Sequence, residues 1–344
     1  MSAPAGALDE DTTPAVAVLM EPSLSRQFFG RQAWRSVAPL AQVWHPGATA
    51  GLTAAGPGQR ERTEVVVTGW GSPPLTAEEL DLLPHLRYVV HTGGSIRKIE
   101  SPALWERGIR VSSQAENNAV AVAEYTLAMV ILSLKSVQRA TQLYQRTRRR
   151  VDVYREFAGE GVYGRTVGLL GASRVGRVTA RLLQTLDVQV LISDPYLSTA
   201  DATALGAELV SLEDLARRSD VLSLHVPALP STHHLVDAHT LALLRDGATV
   251  INTARGSVLD TEALAAELRR GRLRAVLDVT EPLVPAPESE LWGAPDLWLT
   301  PHVAGAYGAD LRRLGDSAAQ EVGRALRGEH LHFEVDPHSL SVSA

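Results

Sequence analysis

Residues Thr166–Asp194 read TVGLLGASRVGRVTARLLQTLDVQVLISD, and this stretch decides the fold. An apolar strand is followed by a glycine turn, an amphipathic helix and a second apolar strand that ends in a carboxylate. Gly171 allows a sharp turn off the first strand, and Gly176 allows the helix to pack closely on the sheet. This order is typical of a βαβ unit in a doubly wound α/β sheet.

The same stretch predicts a dinucleotide site. The first amides of the helix that begins near Arg174 can point at a pyrophosphate, helped by the helix dipole. Asp194 ends the second strand, where its carboxylate can accept both ribose hydroxyls and would repel a 2′-phosphate, so we expect NAD rather than NADP. Ser173 replaces the middle glycine of the usual G-x-G-x-x-G motif. A strand-to-helix turn that binds nothing is therefore the alternative.

The composition is that of a soluble globular protein. The chain has 344 residues, is 45% hydrophobic and 21% charged, and carries a net charge of −6. Mild acidity gives no support to nucleic-acid binding, and the absence of cysteine excludes disulfides, thiolate catalysis and cysteine-based metal sites. Residues 1–14 do not resemble a signal peptide, and the apolar run Ala119–Leu134 contains Glu124 and is short for a membrane span. We therefore expect a cytoplasmic protein with no membrane segment and no metal ion.

Alternating strand-like and helical runs predict two α/β domains. The first set of strands begins at Ala15 and the second at Thr166. A long helical pattern that starts at Ala119 and continues towards Arg150 is expected to link them. The amphipathic segment Asp310–Arg327 is expected to return to the first domain. The predicted boundaries are 1–118 with 306–344 for the first domain, and 119–305 for the second.

Three polar segments follow strands of the second domain, at the edge where open α/β sheets bind ligands. They are Leu224-His225-Val226-Pro227, Asn252-Thr253-Ala254-Arg255-Gly256 and Thr300-Pro301-His302-Val303-Ala304-Gly305. With the glycine turn and the LDVTEP run at Leu277–Pro282, their order and spacing resemble the D-isomer-specific 2-hydroxyacid dehydrogenase family, over roughly Ala15 to Arg327. The resemblance implies a flavodoxin-like substrate domain, a Rossmann-type NAD-binding domain with a cleft between them, and a homodimer built around the linking helices.

The resemblance gives two charged side chains a role in the reaction. Arg255 matches the arginine that holds the substrate carboxylate and polarises the 2-oxo group, which suits a planar and permanently charged guanidinium. His302 matches the general acid/base, which gives a proton to the carbonyl oxygen as hydride reaches the carbon. A structural salt bridge for Arg255 and a buried, hydrogen-bonded histidine are the alternatives.

The resemblance also implies the binding residues. Gly94 and Ser95 match the loop that donates backbone N–H groups to the substrate carboxylate, and Asp278 matches the residue that fixes the nicotinamide amide. The implied cofactor contacts are Ser173, Arg174, Val175, Asp194, His225, Val226, Pro227, Thr253, Ala254, Asp278, Ala304 and Gly305. The function implied is an NAD(H)-dependent oxidoreductase that interconverts a 2-oxo acid and a D-2-hydroxy acid.

Leu283 departs from the family pattern. In the family, a glutamate five residues after the position of Asp278 hydrogen-bonds the catalytic histidine, and Leu283 occupies that place. Glu281 is two residues away, and the stiffness of Pro282 leaves open whether it compensates. Because a carboxylate stabilises the charged imidazole, we expect a reductase that is weak or whose rate falls off at lower pH than usual. An NAD(H)-sensing protein with an impaired dehydrogenase site is the alternative.

Two other features have unassigned roles. Arg97 lies in a loop where the family often has an acid or asparagine, and it either recognises a second anionic group or faces solvent. The adjacent His233 and His234 are a possible metal-binding pair. Because neighbouring residues on a helix or strand point apart, we interpret the pair as surface.

Overall fold

The computed structural model describes residues 12–30, 32–48 and 51–341, and these form two compact units. Unit 1 contains the described residues up to Asn118 together with Ala306–Ser341, and unit 2 contains Ala119–Gly305. Each unit has a sheet of parallel strands with helices in the connections. The predicted α/β class is confirmed.

Unit 1 has a five-stranded parallel sheet in the order β2-β1-β3-β4-β5, which is the flavodoxin-like order. Its strands are β1 (Ala15–Leu19), β2 (Gln42–Trp44), β3 (Thr63–Thr68), β4 (Tyr88–His91) and β5 (Arg110–Ser113). Its first helices are α1 (Pro22–Phe28), α2 (Pro57–Glu61), α3 (Ala77–Asp81) and α4 (Pro102–Glu106). All five residues of β1 are buried, as expected of a strand covered on both faces.

Unit 2 has a seven-stranded parallel sheet in the order β12-β11-β10-β9-β6-β7-β8. The strands are β6 (Arg165–Leu170), β7 (Val188–Ser193), β8 (Glu208–Leu209), β9 (Val221–Leu224), β10 (Thr249–Asn252), β11 (Arg274–Leu277) and β12 (Leu297–Leu299). The helices are α5 (Ala115–Leu134, beginning in unit 1), α6 (Val137–Thr147), α7 (Val153–Glu156), α8 (Arg174–Leu183), α9 (Thr199–Ala204), α10 (Leu212–Arg218), α11 (Ala238–Leu243) and α12 (Thr261–Arg269). This is the Rossmann strand order with an added edge strand.

The strand order of unit 2 reverses beside β6. From β6 the chain builds outwards through β7 and β8, then returns to place β9 on the other side of β6. Ligands of open α/β sheets bind at such a switch point, outside the carboxyl ends of the strands. Because every strand is parallel, the segments that follow β6, β7, β9, β10, β11 and β12 all meet at this edge.

Helix α13 (Asp310–Leu326) belongs to unit 1, where it packs against α1, β3 and β4. A Cβ on Gly315 would overlap the backbone carbonyl of Phe28, so glycine allows this close approach. The buried carboxylate of Glu321 accepts hydrogen bonds from the backbone N–H groups of His332 (3.0 Å) and Phe333 (3.1 Å). These bonds hold the segment after α13 in place.

The long linking helix is interrupted, contrary to the continuous pattern expected from Ala119 towards Arg150. Helix α5 ends at Leu134, and Ser136 adopts a left-handed backbone with φ of 49°. The Ser136 hydroxyl is held by the Arg274 guanidinium at 2.7 Å, and the Leu134 carbonyl accepts from Gly161 N–H at 2.8 Å. Both partners are distant in sequence, so the periodicity of the segment did not reveal the break.

Helix α5 meets the length and hydropathy of a membrane-crossing helix, with a mean hydropathy of 1.4. In unit 2, however, its Val130 and Leu134 are buried in one hydrophobic cluster with residues of β6, β7 and β9. Core helices of soluble domains pass the same test of length and composition. The part of α5 around Val130 and Leu134 thus packs into the core of unit 2.

Candidate active site

The turn between β6 and α8 is built on two glycines. Gly171 has a φ of 101°, and a Cβ there would lie 2.7 Å from a methyl of Val226 and 2.9 Å from the carbonyl carbon of His225. A Cβ on Gly176 would overlap the Gly171 carbonyl oxygen. Both positions therefore require glycine, as the sequence pattern predicts.

Ser173 occupies the position of the missing middle glycine without strain. Its φ is −60°, and its hydroxyl accepts a hydrogen bond from Gly176 N–H at 3.4 Å, so it is the N-cap of α8. Serine is a favoured N-cap residue because it satisfies one of the amides that the helix leaves unbonded. The departure from the usual motif replaces a glycine with a cap, and α8 still begins at Arg174 with Val175 in its first turn.

Asp194 lies directly after β7, beside the glycine turn. Its carboxylate accepts hydrogen bonds from Ala172 N–H at 2.7 Å and from Tyr196 N–H at 2.8 Å. A carboxylate has about four acceptor positions, so it retains capacity for two hydroxyl donors. The half-buried Asp194 therefore both shapes the turn and remains able to accept ribose hydroxyls.

His225 lies beneath the glycine turn. Its side chain is 3% exposed, and neither ring nitrogen has a hydrogen-bond partner among the described residues. Burial lowers the pKa of His225 to about 3, so the ring is neutral at physiological pH. Val226 and Pro227 follow it and are half-buried at the strand-end edge. The segment thus places backbone and Val226, rather than the imidazole, next to the turn.

The turn after β10 is organised by Asn252. Its side-chain oxygen accepts from Ala254 N–H at 3.0 Å, and its amide donates to the Arg255 carbonyl at 2.9 Å. The Thr253 hydroxyl lies 3.3 Å from that of Thr126 in α5. The exposed Arg255 guanidinium donates one bond to the Ala254 carbonyl at 2.7 Å. Asparagine at the end of a strand favours this kind of turn, a local signal that the sequence interpretation missed.

Asp278, directly after β11, holds the segment that follows β12. One carboxylate oxygen accepts from the Thr300 hydroxyl at 2.7 Å and Val303 N–H at 2.8 Å, and the other accepts from Ala304 N–H at 2.9 Å. Thr300 also bonds the Tyr125 hydroxyl at 2.9 Å. Asp278 therefore positions the loop that carries His302, a role that sequence reasoning missed because its partners are 22 to 26 residues away.

His302 is exposed and adopts a left-handed backbone with φ of 59°. Its N–H donates to the Asp278 carbonyl at 3.1 Å. Non-glycine residues in this region are uncommon and are enriched at functional sites. The Asp278 bonds to the next two amides hold this conformation. Gly305 ends the same loop at the edge of unit 2.

The loop after Asp278 brings no acid to His302. In the described part of the chain, the His302 ring has no hydrogen bond or ion pair with a carboxylate. The Glu281 carboxylate instead lies within 4.8 Å of ring nitrogens of His233 and His234. The Leu283 side chain is 59% exposed, and its carbonyl accepts from the Thr280 hydroxyl at 3.0 Å.

In unit 1, the loop after β4 carries Gly94 and Ser95. A Cβ on the preceding Gly93 would lie 2.6 Å from His91 Nε2 and 2.9 Å from Trp70 Nε1, so glycine is required. The His91 Nδ1 bonds the Thr68 hydroxyl at 2.9 Å, and burial lowers the pKa of His91 to about 4. A neutral buried imidazole thus supports the base of this loop.

One expectation about a single feature needs correction, and another gains a detail. Arg97 is exposed, in line with the solvent-facing alternative, and its guanidinium also donates to the Leu340 carbonyl at 2.6 Å within unit 1. His233 and His234 are exposed, as interpreted, but they do not point apart. Their rings stack with centroids 4.0 Å apart, because the pair lies outside any helix or strand and His234 has a φ of 49°.

A family model described as D-isomer specific 2-hydroxyacid dehydrogenase, NAD binding domain, matches residues 127–304. The chain belongs to this family. The match covers half of the chain and nearly all of unit 2, so unit 2 is the family's NAD-binding domain.

The chain is also similar to curated proteins and to solved structures. D-3-phosphoglycerate dehydrogenase of Mycobacterium tuberculosis is 34% identical over 264 residues, which cover 76% of this chain and 49% of that protein. The chain thus spans about half the length of the curated relatives it matches. Among solved structures, a phosphoglycerate oxidoreductase from Rhizobium etli has a TM-score of 0.80 at 22% identity, covering 94% of this chain and 98% of that one. D-mandelate dehydrogenase from Rhodotorula graminis has a TM-score of 0.77 at 24% identity, covering 94% and 97%.

The residues of this 2-hydroxyacid dehydrogenase domain fit NAD. A Cβ on Gly171 or Gly176 would fill the space within the glycine turn. The first backbone amides of α8 have no hydrogen-bond partner within the helix backbone, which is the usual setting for phosphate binding. Asp194 provides the carboxylate expected beside an adenosine ribose. The N-terminus of α8, Ser173 and Asp194 would hold the pyrophosphate and ribose. Thr253 and Asp278 lie along the same edge, towards His302.

Proposed function

We propose that the protein is an NAD(H)-dependent dehydrogenase that interconverts a 2-oxo acid and a D-2-hydroxy acid. One observation carries this proposal: Arg255, Asp278 and His302 follow three adjacent strands at the edge that also carries the glycine turn. Reduction of an anionic ketone needs a cationic group for the substrate, a proton donor and a bound nucleotide. This edge provides a guanidinium, an imidazole and the glycine turn for these roles. Bound NADH supplies the hydride.

Arg255 is proposed to bind the substrate. Its guanidinium is permanently charged and presents a planar set of donors to a carboxylate and a neighbouring carbonyl oxygen. The Asn252 side chain fixes the backbone on both sides of the turn, which limits the positions that Arg255 can reach.

His302 is proposed as the general acid/base. In reduction its protonated ring gives a proton to the carbonyl oxygen, and in oxidation its neutral ring takes the proton back. The left-handed backbone and the Asp278 bonds to Val303 and Ala304 fix the ring's point of attachment. We propose NAD rather than NADP because Asp194 would repel a 2′-phosphate.

The experiment that tests this proposal is NADH oxidation between about pH 5 and 8 against a panel of 2-oxo acids. The panel runs from glyoxylate and pyruvate through branched and aromatic acids to dicarboxylates and phosphorylated acids. Turnover of at least one acid, lost in Arg255→Ala, supports the dehydrogenase. NADH binding measured by fluorescence, with no turnover of any acid, argues against it.

The second candidate is an NAD(H)-sensing protein with an impaired dehydrogenase site. The observation that favours it is the His302 ring, which has no carboxylate partner in the described ranges, while Glu281 is directed to His233 and His234. The carboxylate that the family pattern pairs with the catalytic histidine is then missing. The protein would then bind NADH and turn over slowly.

Leu283→Glu separates the two candidates. A carboxylate at this position would stabilise the protonated His302, so we expect higher reductase activity at neutral pH in steady-state assays. Val284→Glu is the matched control, because Val284 is the next residue and is also exposed, at 70%. If Leu283→Glu and Val284→Glu raise the rate equally, the gain comes from the added charge and not from position 283. If Leu283→Glu leaves the rate and the pH profile unchanged, the role given to position 283 is wrong.

The cellular setting is also a proposal. We propose a cytoplasmic homodimer that acts on a small molecule, with the apolar helix α5 and its neighbour α6 at the subunit interface. Several apolar side chains of α5, among them Leu127, Ile131 and Leu132, are only partly buried within the chain. Such a face can be covered by a second copy.

A further inference from the structure

A cluster of three metal-ligand side chains lies outside the proposed reaction. One ring nitrogen of His233, one ring nitrogen of His234 and one carboxylate oxygen of Glu281 lie within 4.8 Å of one another, and all three side chains are exposed. We propose that His233, His234 and Glu281 form a surface binding site for a divalent transition-metal cation of the Zn²⁺ type.

The backbone holds these residues together from two loops. The His234 N–H donates to the Ser257 carbonyl at 2.8 Å, and the Thr232 hydroxyl donates to the Pro227 carbonyl at 2.6 Å, which fixes the first loop. A Cβ on Gly256 would lie 2.5 Å from the backbone nitrogen of Glu281. The second loop, which carries Glu281, therefore packs on the same Arg255–Ser257 turn. The cluster is therefore set by two loops anchored to one turn.

The pair of histidines is arranged in an unusual way for sequence neighbours. On a helix or strand their side chains would diverge, but the left-handed backbone of His234 turns its ring onto that of His233. The rings lie nearly parallel, with an interplanar angle of 23°. As a result, the two imidazoles lie on the same side of the chain and face the Glu281 carboxylate.

The donor set selects the class of ion. Two imidazoles and one carboxylate suit Zn²⁺ and its transition-metal neighbours, whereas Mg²⁺ and Ca²⁺ prefer oxygen ligands alone. Zinc–ligand bonds of about 2.1 Å place tetrahedral ligand atoms roughly 3.4 Å apart. The three exposed side chains close to that spacing by rotation about their own torsions, and water completes the fourth position. The ion would join the two loops across the Arg255–Ser257 turn.

The test is a titration of the full chain, without a polyhistidine tag and freed of metal by chelator, with zinc chloride in a calorimeter. We expect one Zn²⁺ per chain, a rise in melting temperature, and no heat with magnesium chloride. His233→Asn and His234→Asn should each weaken binding by about tenfold or more, since even changes to groups that only orient ligands cost that much. His239→Asn is the matched control, because His239 is an exposed histidine outside the cluster.

Because these histidines are exposed, we expect the variants to fold, which a circular dichroism spectrum checks. Glu281→Gln removes the third ligand and should also weaken binding, while melting without metal stays as in the parent chain. Absence of zinc binding would overturn the proposal. So would binding that is unchanged in a His233→Asn, His234→Asn double variant.

Discussion

His302→Gln is expected to lower kcat/KM for reduction of the best 2-oxo acid by about 10²- to 10⁴-fold, the usual contribution of a positioned general acid. Glutamine keeps a polar side chain of similar reach but cannot deliver a proton at neutral pH. The loop amides of Val303 and Ala304 bond to Asp278 through the backbone, so the substitution leaves them in place. Steady-state kinetics measures the loss, and fluorescence titration measures NADH affinity, which should be unchanged.

The matched control for this prediction is His239→Gln. His239 is an exposed histidine of α11 in the same unit, so its replacement tests the general cost of losing such a side chain. We expect parent-like kinetics. If His302→Gln retains full kcat/KM at every pH, another group supplies the proton and the role given to His302 is wrong. If NADH affinity falls in step with the rate, the histidine supports cofactor binding instead.

Acidification is expected to destabilise the fold through two buried histidines. Burial lowers the pKa of His91 from 6.5 to about 4 and that of His225 to about 3. Below pH 6.5 the unfolded chain binds protons that the folded chain cannot take up. The stability that each neutral ring contributes is therefore complete above pH 6.5, and it is lost as the pH falls towards the pKa of the folded state.

The expected size is large. Each histidine has its own pH window, which runs from 6.5 down to its pKa in the folded state. Within that window it adds a slope of about 1.4 kcal/mol per pH unit to the free energy of unfolding. Across the whole window this corresponds to about 3 kcal/mol for His91 and about 5 kcal/mol for His225. Losses of this size are a substantial fraction of the stability of an ordinary domain.

Urea unfolding of the parent chain and of His225→Gln, at several pH values between 4 and 7, measures this effect. Carboxylates contribute a background slope common to both proteins, so the difference between them isolates the histidine. We expect a shallower pH dependence in the variant, whatever its stability at pH 7. His239→Gln should keep the parent slope. Equal slopes for His225→Gln and the parent would show that this ring is protonated without cost.

Much of unit 2 could be predicted from local pattern. The strand, glycine turn and helix of Thr166–Asp194 are signalled by apolar periodicity and by two positions where only glycine fits. The ends of β9, β10 and β12 follow from short apolar runs that stop at polar residues. Since parallel strands share one carboxyl edge, placing those runs in one sheet also placed the candidate site residues at that edge.

Other features could not be predicted in this way. The break at Ser136 depends on the guanidinium of Arg274, which is 138 residues away in sequence. The bond between Arg97 and the Leu340 carbonyl spans 243 residues. Local propensity carries no information about such partners, because they come together only when the sheets and helices have packed.

The sequence by itself determined the α/β class, the nucleotide turn and which residue types stand at the strand ends. These depend on periodicity and on the steric freedom of glycine, which act over a few residues. Only the tertiary structure decided what those residues bond to: Asp278 holds the His302 loop, and Glu281 faces two stacked histidines. The physical reason is that a hydrogen bond or ligand cluster needs atoms a few ångströms apart, and the packed fold sets that distance.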